Sequence, residues 1–170
     1  MSRYITVTLE RRGVSCLARL LDEEAPRTAG AVWDALPLSG QVFHGKYARN
    51  EIYNLVPAFA AKEPGKENTT VTPIPGDLCY FAFSSDDLGN PSYGYPEDRG
   101  PGGMTEIVDL ALFYGRNNLL INGDQGWVPG NVFGTVVDGL EEMAQACQDV
   151  WMNGATDEIL TYARSHDDAQ

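Results

Sequence analysis

Val132-Phe133-Gly134-Thr135-Val136-Val137-Asp138-Gly139-Leu140 contains the change of periodicity that decides the fold. Val132–Val137 has the β-branched, apolar character of a strand. Leu140, Met143, Ala144, Cys147, Val150 and Trp151 then recur at i, i+3, i+4, i+7, i+10 and i+11, one stripe of an amphipathic helix. Glu141, Glu142, Gln145 and Gln148 face away from it, and Asn153-Gly154 supplies a stop. Gly134 and Gly139 fall where a strand must bend and then turn into a helix, geometries that glycine tolerates.

Upstream, the same two periods organise the chain. Ile5, Val7 and Leu9 alternate, Arg11-Arg12-Gly13 forms a turn, and Val14, Cys16, Ala18 and Leu20 alternate again, which predicts a hairpin. Ala25, Ala29, Val32, Trp33 and Leu36 form a first helical stripe, begun by Pro26 and stopped by Pro37. Asp22, Glu23 and Glu24 suit its positive end, and Gly30 marks a close backbone approach. Further strands are expected at 41–45, 50–56, 77–83, 107–114 and 158–163, with a short one at 119–121. Residues 57–76 read as a surface connection. Residues 86–105, with Tyr93 and Tyr95, form a long loop of the kind that serves as a lid, a binding loop or a disordered segment. About eight strands and two helices predict a mainly β, closed barrel, one domain over 1–164, with a solvated tail at 165–170.

Composition narrows the functions. The 170 residues carry 24 acidic and 12 basic side chains, a net charge of −12, which repels phosphate backbones and anionic membranes. Neither a nucleic-acid nor a membrane partner is expected. Cys16, Cys79 and Cys147 lie scattered in apolar segments, the pattern of reduced, buried thiols in a cytoplasmic protein. The two histidines, His44 and His166, are far apart and accompany no carboxylate cluster, so neither a metal site nor another cofactor is expected.

Three stretches together resemble the cyclophilins. Ala25-Pro26-Arg27-Thr28 is similar to the start of the family's first helix, and Phe43-His44 to the opening of its active-site strand. Val132-Phe133-Gly134-x-Val136-x-x-Gly139-Leu140 is similar to the family's Val-Phe-Gly-x-Val-x-x-Gly-Met, the most specific of the three. The resemblance implies a cyclophilin-like β-barrel. It also implies that proline isomerisation is lost, because the arginine that follows Phe-His in the family is replaced by Gly45. The Gln-Gly-Gly-Asp stretch has no counterpart, and the strand that carries a substrate-positioning glutamine reads Leu110-Ala111-Leu112-Phe113. Arg49, four residues on, would lie ~13 Å away along a strand and cannot substitute. The departures resemble small bacterial and archaeal cyclophilin-like proteins without the active-site arginine. Related barrels occur in amide-processing hydrolases, an analogy of fold alone.

A pocket on the barrel would be lined by His44, Tyr47, Arg49, Glu51 and Tyr53, with Tyr114 and Arg116 from a later strand and Trp127 at its border. Cations and phenols suit a carboxylate- or amide-containing small molecule. Alternation places Tyr47, Arg49, Glu51 and Tyr53 on one face, which is either a pocket wall or a solvated surface with an Arg49–Glu51 pair. His44 is either a general base or a packed structural histidine. Trp33 and Trp151 read as core. The competing function is a protein-interaction or homo-oligomerisation module using the Tyr93/Tyr95 loop; weak isomerase activity is a third.

Overall fold

The computed structural model describes residues 1–95 and 104–166. The middle of the 86–105 loop and the end of the tail lie outside them. The chain begins with the expected hairpin, β1 (Tyr4–Leu9) and β2 (Val14–Leu20), followed by α1 (Pro26–Ala35). Short strands β3 (Leu38–Gln41) and β4 (Phe43–His44) lead into β5 (Glu51–Pro57). Then come β6 (Thr69–Thr70), β7 (Asp77–Ser84) and β8 (Glu106–Phe113). A small hairpin, β9 (Ile121–Asn122) with β10 (Gly126–Trp127), precedes β11 (Gly130–Asp138), α2 (Leu140–Asn153) and β12 (Ile159–Arg164).

Ten strands form one antiparallel sheet in the order β3-β12-β1-β2-β11-β7-β8-β5-β4, with β6 also paired to β11. Its two ends, β3 and β4, are consecutive in the chain, so the sheet curls into a nearly closed barrel. Asn54 on β5 ties the seam by donating from Nδ2 to the Leu160 carbonyl of β12, 2.9 Å away. β11 carries the curvature. Its register slips between Val132 and Gly134 and again between Val136 and Asp138, bulges that bend a strand. Gly139, at φ +81°, turns the chain into α2.

The barrel interior is filled by Ile5, Val7, Leu20, Ile52, Leu78, Leu110, Leu112, Phe133 and Tyr162, all buried. Tyr162 satisfies its hydroxyl by donating to the Leu110 carbonyl at 3.0 Å. Met143, Ala146, Cys147 and Val150 are the side chains of α2 that are buried. This stripe is rotated from the one anticipated: Trp151 is 58% exposed and Ala146 takes part instead. Trp33 is half-buried, with the guanidinium of Arg164 stacked 4.7 Å from its ring centroid.

The start of α1 also differs from expectation. It has no acidic residue in its first turn, and Asp22 is paired with Arg3. The buried carboxylate that serves α1 comes from Glu67, inside the 57–76 connection. Glu67 Oε1 accepts from Thr28 N at 2.8 Å and Thr28 Oγ1 at 2.9 Å, and Oε2 accepts from Arg27 N at 3.2 Å. Burial alone would raise its pKa, but these hydrogen bonds outweigh that and hold it below the usual value. Gly30 approaches nothing: a β-carbon there would have open space around it. Cys16, Cys79 and Cys147 are free and buried. Among the described residues no helix is long and apolar enough to cross a membrane, and no group of three His, Cys, Asp or Glu could hold a metal ion.

Candidate functional site

Alternation sends one set of side chains from β5, β8 and β7 into the barrel and the other set outward. The outward set forms a second apolar cluster that includes Tyr53, Cys79, Phe81, Ala111 and Phe113. The register orders it in rows: Glu51 beside Phe113, Tyr53 beside Ala111 and Cys79, Leu55 beside Asp109 and Phe81. Glu51 and Asp109 therefore stand at diagonal corners, with Tyr53 and Ala111 between them.

Loops roof this face. The 85–95 segment forms two short 3₁₀ turns, Asp86–Leu88 and Pro91–Tyr93. Tyr93 donates its hydroxyl to Asp124 Oδ2 at 2.6 Å, and Asn90 Nδ2 donates to the same oxygen at 2.8 Å. Lys46 Nζ donates to the Tyr93 carbonyl at 2.6 Å. The Tyr95 and Tyr53 hydroxyls are 2.5 Å apart, joining roof to floor. The tyrosines anticipated as an interaction surface thus pack onto their own chain.

Between sheet and roof lies a cavity of about 100 Å³. Tyr53, Phe81, Phe83, Tyr93 and Tyr95 supply aromatic walls, and Glu51 and Asp109 supply carboxyls. Both carboxyls are more than nine-tenths buried, and among the described residues neither belongs to an ion pair. Asp109 Oδ1 has no hydrogen-bond partner. Burial pushes the Glu51 carboxyl up to about 8 and the Asp109 carboxyl well above its usual range, the latter further raised by the nearby Glu51 charge. Both shifts favour the protonated carboxyl.

Of the residues singled out from sequence, Tyr47, Glu51 and Tyr53 line this cavity. The other five are not part of the lining. The 45–50 segment is a turn rather than a strand, so Tyr47 and Arg49 do not share the alternation of Glu51 and Tyr53, and Arg49 is exposed. Arg116 is also exposed, and Trp127 is 59% exposed on the β10 hairpin. His44 and Tyr114 do meet, but beside α2. His44 Nδ1 donates to the Gly45 carbonyl at 2.9 Å, leaving Nε2 to accept from the Tyr114 hydroxyl at 2.5 Å, with Trp151 against the ring. Burial lowers the His44 pKa against the opposing pull of the Gly45 carbonyl, which suits a neutral, packed imidazole.

Asp109, Phe81, Phe83 and Tyr95 were not singled out as pocket residues. One signal was available for Asp109: it is the lone charge within Ile107–Tyr114, and a charge inside a buried strand is rarely structural filler.

The family described as "Protein of unknown function (DUF3830)" matches residues 7–162. No curated protein matches the sequence significantly. Among the solved structures that share the fold are McbB and AF2241. The structure of McbB in complex with tryptophan aligns with a TM-score of 0.59 at 18% identity, covering 98% of this chain and 46% of McbB. The chain thus spans about half the length of that protein. The solution structure of the hypothetical protein AF2241 from Archaeoglobus fulgidus aligns with a TM-score of 0.51 at 22% identity, covering 96% of this chain and 95% of that one.

Proposed function

This protein belongs to the DUF3830 family, and we propose that it binds a small molecule in the cavity between the β5-β8-β7 face and the 85–95 roof. The observation that carries this reading is Asp109 Oδ1, a buried acceptor without a partner at the edge of an aromatic-walled space. An unpartnered buried polar atom costs about 1–3 kcal/mol, and a ligand donor would relieve that cost. The aromatic walls suit a flat apolar body, since ring stacking adds to simple burial.

Of the two head groups anticipated from sequence, the amide fits and the carboxylate does not. A carboxylate would be repelled by whichever of Glu51 and Asp109 ionises; Arg49 and Arg116 lie outside the lining, and Lys46 within it is held by the Tyr93 and Ser92 carbonyls. An N–H donor faces acceptors instead. The McbB structure holds tryptophan, which makes an indole with an amine or amide head a sensible first probe.

Thermal unfolding with L-tryptophan, L-tryptophanamide and smaller aromatic amides tests this. A ligand of the native state raises the midpoint by mass action. The shift should shrink in Phe81→Ala and Asp109→Asn and persist in Arg116→Ala. A shift abolished by Arg116→Ala but unaffected by Asp109→Asn would place the ligand elsewhere.

A further inference from the structure

Resting on the cavity reading above, we infer that the ligand is an organic ammonium ion, and that it enters by displacing a proton from the Glu51–Asp109 pair. The geometry leads here in three steps. First, both carboxyls border one partly open space from neighbouring strands, and among the described residues neither belongs to an ion pair. Lys46 also lines the cavity, but its Nζ donates to the Tyr93 and Ser92 carbonyls at 2.6 and 3.4 Å.

Second, the walls are electron-rich rings. Tyr53 stacks on Phe43 with centroids 5.5 Å apart, Phe81 lies parallel to Phe83 at 5.9 Å, and Tyr93 and Tyr95 close the roof. Aromatic faces attract alkylammonium groups most strongly where water is excluded, and carboxylates complete such cages. An anion finds neither.

Third, the charge balance works. Two carboxyls in one buried site cannot both ionise without a counter-charge. When R–NH₃⁺ enters, one carboxyl gives its proton to solvent and becomes the counter-ion: ammonium in, proton out, net charge of the site unchanged. The other titratable and charged groups around the pair do not compete for this exchange. Burial raises the Tyr53 hydroxyl on β5, the Cys79 thiol on β7, the Tyr162 hydroxyl on β12 and the Tyr95 hydroxyl in the roof. A hydrogen bond to Asp124 pushes Tyr93 up to about 12. All five are neutral across pH 5–8. Asp77, on the Cys79 side, is anchored by the Ile74 amide at 2.9 Å; Tyr47 and Lys46 complete the rim.

Isothermal titration of the full chain with 2-phenylethylamine, 2-phenylethanol and phenylacetate decides the matter. The three differ in charge and share one ring. The amine should bind at least tenfold more tightly than the alcohol at pH 7, and phenylacetate weakest. Amine affinity should climb towards tenfold per pH unit between pH 5 and 7.5, the signature of one proton released. Buffers of different ionisation heat should report that proton directly. Glu51→Gln and Asp109→Asn, each verified as folded by circular dichroism, should flatten the pH dependence and erase the preference for the amine. Equal binding of amine and alcohol, or amine binding without proton release, overturns the inference while leaving a neutral-ligand cavity intact. Binding of none of the three, nor of the indole probes, overturns both.

Discussion

Glu51 Oε1 lies 2.7 Å from the point that a β-carbon on Gly45 would occupy, and the Ala48 carbonyl oxygen lies 2.9 Å from it. In the cyclophilins an arginine follows Phe-His; here the space that any side chain would need at this position is taken by a buried carboxyl and by backbone. Gly45 and the acidic wall of the cavity are therefore in direct contact. The Ala48 backbone, more than the movable Glu51 tip, is what favours glycine there.

Substituting Gly45 tests that coupling. The glutamate tip can shift, but the Ala48 carbonyl cannot easily do so. Gly45→Ala should destabilise the protein by roughly 1–3 kcal/mol in denaturant titrations, the usual cost of overpacking. Gly45→Arg should cost more and should not raise proline-peptide isomerisation above background. A stable Gly45→Arg protein with isomerase activity would contradict this account of the site.

Stability should depend on pH with opposite signs on the two sides of a maximum near pH 5. Glu51, ordinarily near 4.5, is raised to about 8 in the fold. The native state then holds a proton that the unfolded chain releases, so stability falls as pH rises from about 4.5 to 8, by at most ~1.4 kcal/mol per unit from this group. Asp109, raised by the same burial, adds to the fall. Glu67 and Glu158 are held low by hydrogen bonds that outweigh their burial, so their contribution is lost as pH falls below the ordinary carboxylate range. Melting curves from pH 3 to 9 check this; Glu51→Gln should lessen the alkaline slope, and adding Asp109→Asn should flatten it, with the acid side unchanged.

Glu158 is the most heavily engaged carboxylate outside the cavity. It is 1% exposed, accepts from the Arg11, Arg12 and Ile159 amides at 2.8, 3.1 and 2.9 Å, and pairs with the Arg12 guanidinium at 2.9 Å. It pins the β1–β2 turn to the start of β12. Glu158→Ala strands those part-buried donors, and a loss of about 2–3 kcal/mol is expected in equilibrium unfolding. Glu67→Gln, which retains the shape, should cost about 1 kcal/mol.

Gly30 offers a gain. It sits inside α1 with open space where a β-carbon would go. Gly30→Ala should stabilise the protein by roughly 0.5–1 kcal/mol, through helix propensity and reduced freedom of the unfolded chain. A loss on substitution would mean that α1 packs differently from the arrangement described.

The barrel was legible because its long elements repeat. The β1–β2 hairpin, the stripe of α1 and the strand-to-helix change at Gly139 each span enough residues to show a period. The two-residue strands β6, β9 and β10 do not. The rotation of α2 was missed because Trp151 reads as apolar wherever it stands, although its ring lies on His44 at the surface. The cap of α1 was illegible for another reason: Glu67 is 39 residues from Thr28 in the chain, and no local pattern links them. The site was half visible. Glu51 and Tyr53 share a strand, whereas Asp109 joins them only through the pairing of β5 with β8. Reading Tyr47 and Arg49 as part of that strand drew the expected lining towards cations that the 45–50 turn leaves outside.

The most direct test of the ligand cavity is an NMR titration of backbone amides with 2-phenylethylamine at pH 7.5. The account predicts saturable shifts confined to Glu51–Tyr53, Phe81–Phe83, Asp109 and Tyr93–Tyr95. Shifts centred on Arg49, Arg116 and Trp127, with the Glu51 and Asp109 amides unmoved, would contradict it.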